Sequence, residues 1–62
     1  MKFSELKKIL RKNGCYLSDD GSKHELWHSP ITGNTFTVGR HNTEDVKKGT
    51  LSGILKQAGI KL

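Results

Sequence analysis

The stretch Asp19-Asp20-Gly21-Ser22-Lys23-His24-Glu25-Leu26-Trp27-His28 holds the side chain best placed for chemistry, His24. Gly21 tolerates positive φ and the aspartates before it can bond their own backbone, so the segment predicts a tight turn feeding a short strand. At the start of such a strand an imidazole meets solvent, and an unperturbed imidazole titrates near ~6.5, so it can take or give a proton at cellular pH. RNA cleavage asks for little more than this. The substrate carries its own nucleophile, the 2′-hydroxyl, and a base for that proton plus cations for the growing phosphate charge complete the requirements. Such a transesterification would leave a cyclic phosphate and needs neither metal nor cofactor. The plain alternative is a surface histidine with no chemical role.

Other chemistries fit the residues less well. His24 and His28, four apart on a strand, stand about 13 Å from one another, far beyond the ~4 Å within which two ligands share a zinc. His41 has no Cys, Asp or Glu at ligand spacing, so no metal site is expected. No Gly-x-Ser-x-Gly bend or Cys/His pair points to a protein nucleophile. Cys15 is the single cysteine, which rules out an internal disulfide and reads as a small core-facing residue.

The elements that must position His24 follow from periodicity. Phe3, Leu6, Ile9 and Leu10 recur at helical spacing, with Ser4 as a cap, Glu5 in the first turn and Asn13-Gly14 as the stop. This predicts a helix over residues 4–12 whose outer face carries Lys7, Lys8, Arg11 and Lys12. Strands are expected over 15–18, 23–28 and 35–39, joined by a turn at 19–22 and a loop at 29–34. Alternation puts His24, Leu26 and His28 on one face of the second strand and Lys23, Glu25 and Trp27 on the other. With Leu26 in the core, His24 would lie on the helix side and Trp27 on the open face, as a stacking platform or partner anchor; Trp27 packed under the loop around Pro30 is the competing arrangement. After an irregular connection over 40–45, Thr50 is a cap for a second helix carrying Leu51, Ile54, Leu55 and Ala58 and ending at Gly59, with Gly53 marking close packing against the sheet. The order helix, strand, strand, strand, helix gives an α+β fold, a three-stranded antiparallel meander with both helices on one face.

Length and charge bound the partner. Sixty-two residues point to one domain over 1–62, and a domain this small buries only about 60% of its unfolded surface. That leaves no deep metabolite pocket, so function should lie on the surface. Eleven basic residues against six acidic ones, net +5, favour a polyanion or an acidic protein. No apolar run is long enough for a signal peptide or a membrane span, so a cytoplasmic location is expected.

Gly21-Ser22-Lys23-His24, then Arg40-His41, then Lys48-Gly49-Thr50-Leu51 and Ile54-Leu55-Lys56-Gln57-Ala58-Gly59-Ile60 together resemble the HicA family of bacterial toxins over essentially the whole chain. The resemblance implies a small mRNA endoribonuclease with a fold like that of double-stranded-RNA-binding domains, neutralised by a HicB antitoxin. It also implies that His24, after Gly-Ser with Lys23 in the variable place, is catalytic. Gly39 stands where the family usually has proline, which implies a looser bend before Arg40. Charge and placement then nominate Lys23 and Arg40 for the scissile or flanking phosphates, with Lys47 and Lys48 as more distant electrostatic contributors. A non-catalytic double-stranded-RNA-binding module and a protein-interaction domain are the alternatives.

Overall fold

Sequence-distant backbone carbonyls, together with a local bond from the cap residue's N–H to Glu5, start the first helix. In the computed structural model, which describes residues 1–20 and 23–62, α1 runs Phe3–Lys12 with Lys2 in the cap position. Ser4 therefore lies inside the first turn and is not the cap. Phe3 N–H donates to the Glu44 carbonyl at 3.0 Å and Ser4 N–H to that of Asn42 at 3.1 Å, which satisfies two donors that a helix start leaves open. Glu5 Oε1 accepts the Lys2 N–H at 3.1 Å. Val46 N–H donates to the Met1 carbonyl at 2.8 Å beside an antiparallel Lys2–Asp45 bridge. The connection after the sheet is thus stitched to the start of α1.

The three strands are β1 (Tyr16–Asp19), β2 (His24–His28) and β3 (Thr35–Gly39), antiparallel in the order β1-β2-β3. The first strand begins one residue later than expected, after a buried Cys15 whose N–H donates to the Leu10 carbonyl, and its register slips between Leu17 and Asp19. Gly21 and Ser22, on which the turn expectation rests, lie outside the described residues.

The register decides which face of β2 is inside. Directly paired residues share a face, and Trp27 pairs with Phe36 and Glu25 with Val38. Phe36 and Val38 are core residues, so Trp27 goes in with them and is 0% exposed. Trp27 is consequently no open-face platform, and the arrangement with Leu26 in the core does not hold. His24, Leu26 and His28 instead share the other face with Gly39, Thr37 and Thr35.

The second helix, α2 (Lys48–Ala58), has Lys47 at its cap position, so Thr50 falls in its first turn and does not cap it. Gly59 ends it with φ +75°, as its type and position predict, and the Ile60 N–H returns to the Leu55 carbonyl at 3.0 Å. The β2–β3 loop also grips this end. Ser29 Oγ donates to the Ala58 carbonyl and Thr32 Oγ1 to that of Gln57, both at 2.6 Å, and Asn34 Nδ2 donates to Gln57 at 3.1 Å. Gly53 has nothing within 4 Å of where a Cβ would stand, so close packing is not its reason. Leu6, Leu10, Ile54 and Ala58 close the core over Trp27, Phe36 and Val38. Among the described residues no helix is long and apolar enough to cross a membrane.

Candidate active site

His24 opens β2, is exposed, and pairs across the sheet with Gly39 at the end of β3. It lines a cleft of about 380 Å³ together with Thr37 and Gly39 of β3, Phe3 of α1, Glu44 and Asp45 of the connection, and Lys47 and Thr50 at the start of α2. Gly39 has a steric reason to be glycine. A Cβ there would stand 3.0 Å from Phe3 Cζ, so the bare backbone lets the phenyl ring lie against the strand.

The cleft brings His24 beside a source of positive potential. The first turn of α2 has no acidic residue and no side-chain cap, while Lys47 and Lys48 stand at its start. Open N–H groups and the positive end of the helix dipole attract anions. The loop contacts at the far end of α2 hold the axis, and with it the direction of that dipole. Two carboxylates temper the field, but Asp45 lies 3.9 Å from the Lys2 ammonium. An imidazole able to move a proton therefore shares one solvent-open cleft with a site able to steady a phosphate.

The other nominated residues are dispersed. Lys23 is exposed just before His24, and Lys48 is the first residue of α2; neither lines the cleft, nor does Arg40. Arg40 pairs with the Asp20 carboxylate. His28 is half-buried, shares a 3.1 Å hydrogen bond with Thr35 Oγ1, and packs against Tyr16. At about 13 Å along the strand from His24, it cannot serve the same phosphate. His41 is exposed and its carbonyl accepts the Glu44 N–H at 3.1 Å. Phe3, Thr37, Glu44, Asp45 and Thr50 were not anticipated in the site. Only Thr50 carried a signal, its place in Lys48-Gly49-Thr50-Leu51.

Behind β2 lies a polar network that anchors the strand. Lys7, expected on the outer face of α1, is only 4% exposed because its ammonium reaches Glu25 Oε1 at 3.0 Å and also bonds Asn42 Oδ1. Trp27 Nε1–H donates to the same carboxylate at 3.0 Å, and the Arg11 guanidinium lies over the indole at 5.1 Å. Burial pushes the Glu25 carboxyl up, but the hydrogen bonds from Trp27 and Lys7, with the charges of Lys7 and Arg40, outweigh it and hold the group below its ordinary 4.5. Glu25 faces in and His24 faces out, so fixing one fixes the other.

Among the described residues, no three His, Cys, Asp or Glu side chains group as metal ligands. A family described as HicA toxin of bacterial toxin-antitoxin matches the chain over residues 3–60. No curated protein and no solved structure matches it.

Proposed function

The chain belongs to the HicA toxin family of bacterial toxin–antitoxin systems, and from that premise we propose that it is an mRNA endoribonuclease with His24 as its general base. The observation that carries this reading is the exposed His24 imidazole sharing a cleft with Lys47 and the uncapped first turn of α2. His24 takes the proton of a ribose 2′-hydroxyl; the oxygen attacks the adjacent phosphorus; the 5′-oxygen leaves with a proton from solvent, which the open cleft admits. The products are a 2′,3′-cyclic phosphate and a 5′-hydroxyl. Because the substrate supplies the nucleophile, the residues need only a base and positive charge, and no metal enters the scheme.

Lys47 acts from within the cleft, with Lys23 and Lys48 beside it on flanking phosphates. Arg40 joins them by exchanging Asp20 for a phosphate, since a pair this exposed is worth only about 0–1 kcal/mol. A HicB-type antitoxin neutralises the toxin by covering His24. In His24→Ala, cleavage should fall about 10²- to 10⁴-fold, the contribution of a positioned base, and growth arrest should disappear. Folding, followed by the emission of the buried Trp27, and antitoxin binding should persist. Undiminished cleavage by this variant would remove the mechanism. A non-catalytic double-stranded-RNA-binding module would show no cleavage in the parent protein either.

A further inference from the structure

We infer that the open face of the sheet is a base-stacking platform for single-stranded RNA, centred on Tyr16 and His28. The inference rests on the ribonuclease reading and extends it from the scissile phosphate to the flanking nucleotides.

Tyr16 is 53% exposed although it sits on a strand, and its cross-strand neighbour is His28. The two rings lie 5.4 Å apart at 46°, and the Thr35 hydroxyl at 3.1 Å from Nδ1 fixes the imidazole plane. Neither ring is needed for the core, which Trp27 and Phe36 fill from the other face. Half-buried Leu26 lies between this pair and His24 on the same face, so the row is continuous. Its length from His24 is about 13 Å, a separation that a couple of nucleotides of an extended strand span.

The chemistry of the row selects the occupant. Tyr16, Leu26, His28, Thr35 and Thr37 carry no carboxylate themselves; Asp19, paired with Leu26, brings one to the edge of this face, while at its His24 end Lys47 and the uncapped start of α2 stand against Glu44 and Asp45, the latter beside Lys2, in a chain of net charge +5. That polarity suits a polyanion whose phosphates sit at the cationic end and whose bases lie on the rings. Bases inside a duplex are already stacked and cannot use such a platform, whereas unpaired bases can, in any sequence.

The test is equilibrium binding of a fluorescein-labelled single-stranded RNA, 2′-O-methylated so that it cannot be cut, alongside the matching duplex. Tyr16→Ala should bind the single strand about 5- to 100-fold more weakly, the range that losing one stacked base implies. Tyr16→Phe should bind it as the parent does, and duplex binding should be weaker and indifferent to both variants. With cleavable RNA, Tyr16→Ala should raise KM and leave kcat unchanged. Parent-like single-strand affinity in Tyr16→Ala, with His24→Ala still inactive, would remove the platform and leave the ribonuclease standing. A parent protein that neither binds nor cuts RNA would remove both. Loss of antitoxin binding in Tyr16→Ala with RNA affinity intact would overturn the inference in favour of a protein-docking face.

Discussion

An ammonium taken out of water needs a partner, and Lys7 depends on Glu25 for its own. Glu25→Ala should therefore cost about 3–5 kcal/mol, because it strands the charge and leaves the Trp27 N–H without its acceptor. Urea unfolding followed by Trp27 emission measures the loss. Pairing Lys7→Met with Glu25→Gln should recover most of it, since no buried charge remains and the amide oxygen can still accept from the indole. The same carboxylate makes stability depend on acid. With its folded pKa below the ordinary 4.5, its contribution is complete above that value and disappears as pH falls through the folded one. The Glu25→Gln variant should thus lose less stability than the parent between neutral pH and the acid end. Lys7 escaped the sequence reading because its partner lies on another element; a lysine at helical spacing among other basic residues looks solvated until β2 supplies a carboxylate.

At the scale of elements, the β2–β3 loop, which grips the end of α2, carries an effect that a local reading misses. Ser29 is fully buried and donates to the Ala58 carbonyl, so Ser29→Ala should cost about 1–3 kcal/mol by leaving that acceptor unpaired. In a domain this small that lowers Tm by roughly 4–8 °C per kcal/mol, readable by thermal melting. Gly59→Ala should cost more than Ser29→Ala in the same melt. Its backbone is left-handed, and a Cβ would come within 2.7 Å of Thr32 Cγ2 and 3.0 Å of Ile31 Cγ2. Gly59 was legible because a helix stop is a local event with a residue-type signature, and the order of helices and strands was legible because apolar spacing is local too. Both helix starts were misplaced, at Ser4 and Thr50, for the opposite reason. The donors of α1 are met by carbonyls some forty positions away, and α2 begins with no side-chain cap. The face of Trp27 likewise depended on pairing with Phe36, which alternation within one strand does not encode.

Across the whole molecule, charge is distributed so that part of it is internally committed and part is available to a partner. Lys2, Lys7 and Arg40 face Asp45, Glu25 and Asp20, whereas Lys23, Lys47 and Lys48 are exposed around His24 and the start of α2. On the proposed function, binding to single-stranded RNA should release about 0.7 counterions per phosphate contacted, so these three lysines give a slope of log K against log salt near −2, and Arg40 transferring from Asp20 takes it toward about −3. Lys47→Gln should reduce the magnitude of that slope by about 0.7, whereas Lys61→Gln, beyond the opposite end of α2, should leave it unchanged. Filter binding over a salt series reads both. The slope separates the two contributions to affinity, because stacking on Tyr16 is insensitive to salt while phosphate contacts are not. Tyr16→Ala should accordingly shift the line down without tilting it, and Lys47→Gln should tilt it. An unchanged slope in Lys47→Gln would take the cleft's lysine off the phosphate path, and with it the electrostatic half of the case for placing the reaction at His24.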